Sequence, residues 1–383
     1  MIGSNMRRTI FWSLDQFKGK LVKKAYSDVE DKMRSGGYSE IELVRLIDHT
    51  TETVPFYREL VQGGREILKL SDFPVMTKAD YKENNDAFLS EKYKGMPLHE
   101  MSTSGSTGTP FVVKMNLEKR KRVNAEFIYF NLIAGQKLGD RYMYLKTWKK
   151  KKTGFESHVQ NVIAIDILKL NETTLEKIRI KLKSDKKIRS ILAYASTYEV
   201  LADYLIKKGD SSRDFHLKAL FSSSTLMTKT MKEKLEKLFA CPVIDRYSSQ
   251  ENGLLAQSAE GEDFFRINTG SYHIELLSLM SDDSVNQGEV GRIVVTDLYN
   301  FAMPMIRYDT GDLAISGDEN RNHLKTLKNL EGRRVDMIYD TRGNPLTPHT
   351  WSVHMRKYEK VIQWQFIQED RDVYRLLING GER

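Results

Sequence analysis

Between residues 141 and 247 apolar segments of two kinds alternate, and this alternation constrains the fold more than any other feature of the chain. Residues 141–145, 162–165, 188–195, 217–221 and 243–247 are short apolar runs with strand character. Residues 175–182, 197–208 and 229–239 repeat their apolar positions at helical spacing. Strands separated by helices predict an α/β architecture with a parallel, doubly wound sheet. Ligands of such sheets sit beyond the carboxyl ends of the strands. Two polar clusters fall at those ends. Ser222-Ser223-Ser224-Thr225 follows one strand, and Ser248-Ser249-Gln250-Glu251 follows Tyr247 on the next.

The flanks read differently. Residues 1 to about 60 are helical by periodicity, with Gly36-Gly37 separating two segments and Val54-Pro55 interrupting the second. Thr77-Lys78-Ala79-Asp80 is a capped helix start. From Phe264 onward, residues 272–277 and 291–296 are strands with turn signals between them, notably Asn286-Gln287-Gly288. They predict a small antiparallel, barrel-like subdomain over about 264–331.

Composition excludes several classes. A chain of 383 residues buries a sizeable core, and its one cysteine, Cys241, rules out an internal disulfide or a multi-cysteine zinc site. Sixty basic residues stand against fifty-two acidic ones, a net charge of +8 with both signs widely spread. No basic stretch is interleaved with aromatics, so nucleic-acid binding is not expected. The densest basic run, Lys146 to Lys152, is a solvated loop or a contact for an anionic substrate. No apolar run approaches a membrane span and the N-terminus lacks a leader's apolar core, so a cytoplasmic location is expected.

One loop is built for phosphate. Ser102-Thr103-Ser104-Gly105-Ser106-Thr107-Gly108-Thr109-Pro110 holds six hydroxyls and two glycines. Glycine lets the backbone bend tightly, and the hydroxyls add donors beside the amides. Such a loop wraps a polyphosphate without a dedicated charge. It is not a Walker A loop, which requires Gly-Lys-Ser/Thr. Residues 116–132 read as a helix whose N-terminal dipole faces this loop.

Three further motifs follow in order: Asp245-Arg246-Tyr247-Ser248-Ser249-Gln250-Glu251, then Met305-Ile306-Arg307-Tyr308-Asp309-Thr310-Gly311-Asp312-Leu313, then Glu331-Gly332-Arg333-Arg334-Val335-Asp336. With the loop, their order and spacing resemble the adenylate-forming superfamily of acyl-CoA synthetases and adenylation domains. Within it the chain is similar to the phenylacetate-CoA ligase and CapK-like capsule-biosynthesis branch. Val54-Pro55-Phe56-Tyr57-Arg58, the segment from Asp72 to Asp80, and Ala302-Met303-Pro304 also match that branch. The resemblance runs from about residue 45 to the end.

The resemblance implies an ATP-dependent ligase. It forms an acyl-adenylate and pyrophosphate from a carboxylic acid, then transfers the acyl group to coenzyme A, to an amine on a sugar or amino acid, or to a protein cysteine. Ser104, Gly105, Ser106, Thr107, Gly108 and Thr109 match the loop that holds the β- and γ-phosphates, with Thr107 among the catalytic residues. Glu251 matches the magnesium carboxylate, and Tyr247 the aromatic that stacks on adenine. Ser223, Ser224 and Thr225 match the adenine pocket, and Ser248 and Gln250 are also counted as nucleotide-binding, Gln250 as an amide donor to phosphate. Asp312 matches the ribose-binding carboxylate, and Arg333 a catalytic cation near ribose and phosphate. The acid pocket is expected between about Tyr129 and Ala195, with Tyr144, Trp148 and His158 as candidates.

The chain departs from the family's pattern in places. Phe111 stands where many relatives place a lysine, and Gln250 where Ser or Thr is usual. The hinge is expected at Val335 or Asp336. The division expected is a nucleotide-binding core over 1–331 and the beginning of an α+β lid over 332–383, without the lid's Gly-Lys motif. Either the sequence is a fragment of a longer protein or that lysine is missing, and the latter keeps open a second reading, a nucleotide-binding protein of the same fold without turnover.

Overall fold

The computed structural model describes residues 3–380 except 65, 68, 104–110, 149–159, 224–226, 319–322, 334–337, 344, 347–354, 356–357 and 359–360. Four helices open the chain: α1 (Ser4–Phe17), α2 (Leu21–Ser35), α3 (Glu40–Thr53) and α4 (Pro55–Gln62). Gly36 and Gly37, at φ +103° and +130°, end α2 where a side chain would be strained. Ser39 and Glu42 form a capping box that starts α3. Pro55 occupies the first turn of α4, where its missing N–H costs nothing. The first segment is split in a way periodicity did not reveal. Lys20 turns left-handed, and Asp15 accepts from the amides of Val22 and Lys23 at 3.0 and 2.9 Å, capping α2 from the preceding helix.

Helix α5 (Lys78–Glu83) starts at the expected Thr77–Asp80 box. Strands β1 (His99–Thr103) and β2 (Phe111–Met115) then pair antiparallel, with Thr103 opposite Phe111, so the two ends of the Ser/Thr/Gly loop are held together. Asn116 caps α6 (Leu117–Ile133), accepting from the Lys119 amide at 3.0 Å.

The alternating region forms β3 (Arg141–Lys146), β4 (Val162–Asp166), α7 (Glu172–Ser184), β5 (Ile188–Tyr194), α8 (Ala195–Lys207), β6 (Ala219–Ser223), α9 (Lys229–Phe239) and β7 (Val243–Ser249). Strands β4, β3, β5, β6 and β7 lie parallel in that order. One face packs on α7–α9 through a core including Ile178, Tyr198, Leu201, Leu220 and Leu235. On the other face Phe221 and Ile244 pack near the end of α6 at Ala134.

From β7 the sheet continues instead of closing into a barrel. Strands β8 (Gly253–Ser258), β9 (Phe265–Ile267), β10 (Tyr272–Leu277), β11 (Val290–Asp297), β12 (Tyr308–Ser316) and β13 (Thr326–Arg333) extend it to eleven strands, ordered β10-β11-β12-β13-β9-β8-β7-β6-β5-β3-β4. No closed barrel exists among the described residues, because β9 pairs with both β8 and β13 and carries one ladder through. The extension nevertheless coils strongly. Four ladder steps separate β7 from β12, about 19 Å in a flat sheet. Yet Tyr247 on β7 and Asp312 on β12 are hydrogen-bonded at 2.9 Å. Only a sheet folded over on itself permits that.

Helix α6 is anchored by buried charge. Lys119 meets Asp297 at 2.7 Å with both side chains inaccessible, and Arg122 meets Asp28 of α2 at 2.7 Å. Beyond β13, β14 (Ile338–Tyr339) pairs with β15 (Pro345–Leu346), and β16 (Val361–Asp370) with β17 (Val373–Gly380). Among the described residues no helix is long and apolar enough to cross a membrane.

Candidate functional site

The turn between β7 and β8 carries Glu251. The turn is fixed locally: Ser249 Oγ accepts from the Asn252 amide at 3.1 Å, and Tyr272 Oη donates to the Asn252 carbonyl. Gly253 follows at φ +114°, where an added Cβ would lie 3.0 Å from Tyr272 Oη. Tyr272 in turn receives the Lys119 ammonium at 2.9 Å, so the turn rests on the buried charges of α6.

Strand β12 lies over this turn and presents alternate residues to it, as the period of a strand requires. Tyr308 Oη donates to Glu251 Oε1 at 3.4 Å. Tyr247 Oη donates to Asp312 Oδ2 at 2.9 Å and lies 3.2 Å from Thr310 Oγ1. Arg333, the cross-strand partner of Asp312, brings its Nε to 3.8 Å from Asp312 Oδ1. With 71% of its side chain exposed, that ion pair is weak and the guanidinium remains available. Glu251 is nearly buried, and its Oε2 has no protein partner among the described residues.

The strand is aimed from its start. Arg307 adopts φ +46°, which is uncommon for a residue with a side chain. Its guanidinium grips Glu275 at 3.1 and 3.0 Å and donates to the Phe73 carbonyl at 3.0 Å. The segment before α5 is pinned alongside: the Met76 amide donates to the Arg307 carbonyl, and the Asp309 amide to the Met76 carbonyl.

Burial sets the electrostatics. It raises the Asp312 carboxyl above the ordinary carboxylate range, aided by the negative charges of Glu251 and Asp309 and opposed by the Tyr247 hydroxyl and Arg333. Burial also lifts the Tyr247 phenol well above its usual value, with Asp312 adding to the effect. Burial, aided by Glu251, raises the Tyr308 phenol as well, so both hydroxyls stay protonated and act as donors.

Four residues expected from the motifs are thus brought together: Tyr247, Glu251, Asp312 and Arg333. Ser223 ends β6 in the cross-strand row that contains Arg246, directly before Tyr247. Ser248, near the end of β7, and Gln250, on the turn, are both exposed. Ser104, Gly105, Ser106, Thr107, Gly108, Thr109, Ser224 and Thr225 lie outside the described residues, as do His158, Lys149 to Lys152, Val335 and Asp336. Tyr144 and Trp148 meet edge to face, ring centroids 5.1 Å apart, on the sheet face that also holds Arg246. The motifs do not single out Tyr308 and Thr310 as site residues, although the alternation 308, 310, 312 on a strand puts all three on one face. Lys78 is a third residue that the motifs do not single out. Its Nζ sits 5.6 Å from the centroid of Phe111, placing a cation over the ring that replaces the expected loop lysine.

Among the described residues no three acidic, histidine or cysteine side chains cluster as a complete metal cage. A single buried carboxylate with a free oxygen suits magnesium, which keeps most of its shell as water and substrate phosphate.

No family model matches the chain. It is 24% identical over 392 residues to Protein CapK of Staphylococcus aureus, covering 96% of this chain and 84% of that protein. It is 23% identical over 359 residues to the phenylacetate-coenzyme A ligase of Aromatoleum evansii, covering 90% and 80%. Among solved structures it is similar to 2-hydroxyisobutyryl-CoA ligase in the postadenylation state in complex with 2-HIB-AMP. The TM-score is 0.69 at 19% identity, covering 89% of this chain and 77% of that one. The O-succinylbenzoate coenzyme A synthetase of Bacillus subtilis, in complex with AMP, gives a TM-score of 0.54 at 14% identity over 74% of this chain and 59% of that one. The chain is a homologue of the proteins named CapK and phenylacetate-coenzyme A ligase, and its fold is that of the acyl-CoA ligases of the adenylate-forming superfamily.

Proposed function

We propose that this protein activates a carboxylic acid with ATP and passes the acyl group to coenzyme A. A carboxylate oxygen of the acid attacks the α-phosphorus. The new C–O–P linkage is the acyl-adenylate, and the bond to the β-phosphate breaks to release pyrophosphate. The thiol of coenzyme A then attacks the acyl carbon and AMP leaves. Both steps depend on positioning and charge stabilisation more than on proton transfer.

Each residue of the cluster has a part. Asp312 accepts from the ribose hydroxyls, held in place by Tyr247 Oη. The Tyr247 ring lies beside adenine, and Arg333 supplies positive charge near ribose and phosphate. The Ser104–Thr109 loop supplies phosphate donors, and Lys78 adds the cation that Phe111 lacks. Glu251, oriented by Tyr308, would hold magnesium through Oε2. That ion supplies charge neutralisation on the phosphates.

The observation that carries this reading is the convergence of two motifs far apart in sequence on one stretch of β12, where Tyr247 bonds Thr310 and Asp312 and Glu251 bonds Tyr308. Pyrophosphate release with ATP, magnesium and a panel of carboxylic acids tests it. Release dependent on one class of acid, followed by thioester formation with coenzyme A, is expected. An ATP titration with no heat would reject the reading outright.

A further inference from the structure

Among the described residues, Arg246 is a buried cation that meets no anion. Its residue is 6% exposed. Its Nε donates to Gln257 Oε1 at 2.8 Å and its Nη2 to Asn131 Oδ1, both neutral amide oxygens. The guanidinium lies 3.9 Å from the centroid of Phe221. Nη1 has no hydrogen-bond partner among the described residues. Arg122, Arg292 and Arg307 are also buried, and each meets at least one carboxylate. Burying a charge is costly unless it is paired, and aromatic faces with two amides pair it incompletely. Consistent with this, burial pushes the guanidinium below the ordinary arginine range, and no acidic side chain opposes the shift.

Its position is the second observation. Tyr194 ends β5, Ser223 ends β6, and Arg246 is their partner in the same cross-strand row. That row is the carboxyl edge of the parallel strands, where ligands of such sheets bind. Successive residues of a strand point to opposite faces. Tyr247 faces Asp312, so Arg246 faces α6, whose Asn131 it contacts. Tyr142 and Tyr144 lie close enough on that face to influence its charge. A group bound there is beside the nucleotide yet on the other side of β7.

We infer that the acid activated by this protein carries a second anionic group, and that Arg246 pairs with it. The inference rests on the proposed acid activation. The reacting carboxylate must lie against the α-phosphate, so the group at Arg246 is the distal one. A dicarboxylate and a phosphonocarboxylate share the required chemistry.

The test compares pyrophosphate release by the wild-type protein with succinate, glutarate and adipate, with butyrate, valerate and hexanoate of equal length, and with 3-phosphonopropionate. One charge-assisted hydrogen bond corresponds to about 10- to 100-fold in kcat/KM. The anionic acids are expected to win by that factor, and Arg246→Met to abolish the advantage while Arg246→Lys keeps part of it. The arm that wins identifies carboxylate or phosphonate as the distal group. Equal or better turnover of the monocarboxylates by the wild type overturns the inference, and it does so whether or not the variants fold. An advantage that survives in Arg246→Met also overturns it. Calorimetric titration separates the two levels. ATP binding with no heat from glutarate and no release from any anionic acid sinks the distal anion alone, whereas no ATP binding sinks the activation reading beneath it.

Discussion

Tyr247 and Asp312 are joined at 2.9 Å although their strands are four ladder steps apart in the sheet. On the proposed reading, the Tyr247 hydroxyl thereby orients the carboxylate that would address ribose. Replacing Asp312 by Asn removes a charged acceptor, worth about 1.5–3 kcal/mol, so the KM for ATP should rise roughly 10- to 100-fold. Folding stability should move the other way. Burial raises the Asp312 carboxyl, so its charged form is a cost above that raised value which Asn does not carry. Parallel ATP titrations and thermal unfolding at pH 7.5 check both directions. Lower stability with unchanged KM would contradict them.

Asp245 gives the pH dependence. Burial pushes its carboxyl up to about 7, against the hydrogen bond from the Arg246 amide at 3.0 Å and the positive charge of Lys232. The folded state therefore holds a proton that the unfolded chain releases near pH 4. Between those values the folded form binds more protons, so this residue's contribution to stability is present at low pH and is lost as pH rises toward 7. Melting temperatures of Asp245→Asn should decline less than those of the wild type from pH 4 to pH 7. Parallel curves would show that Asp245 titrates normally.

The Arg307–Glu275 pair tests how β12 is aimed. Both groups are largely buried, and removing one partner strands the other. Arg307→Ala should cost about 3–5 kcal/mol in urea unfolding. It should also weaken nucleotide binding, because Tyr308 follows directly in the chain.

Gly253 makes a geometric prediction. Alanine there meets a positive φ and Tyr272 Oη at 3.0 Å. Gly253→Ala should destabilise by at least about 1 kcal/mol and slow pyrophosphate release by displacing the Glu251 turn. Adding Tyr272→Phe removes the colliding oxygen, so the double variant should lose less stability than the two single losses sum to. Simple additivity would place the strain elsewhere.

Sequence alone determined the parallel strands, their helices and the four motifs, because those features are written in local periodicity, caps and turn residues. Thr77 with Asp80, Asn116 before α6 and the apolar face of residues 229–239 each act within a few residues of themselves. Sequence also named Tyr247, Glu251, Asp312 and Arg333, through a resemblance in order and spacing. Only the tertiary structure decided that the antiparallel strands extend one sheet instead of closing a barrel. Strand partners are chosen by long-range ladders that no local pattern encodes. The same coiling brought Tyr308 to the turn and Thr310 to Tyr247, while other tertiary packing set Lys78 over Phe111 and left Arg246 buried without a carboxylate among the described residues. Each of those facts depends on which distant side chains share a space, and distance along the chain carries no information about it.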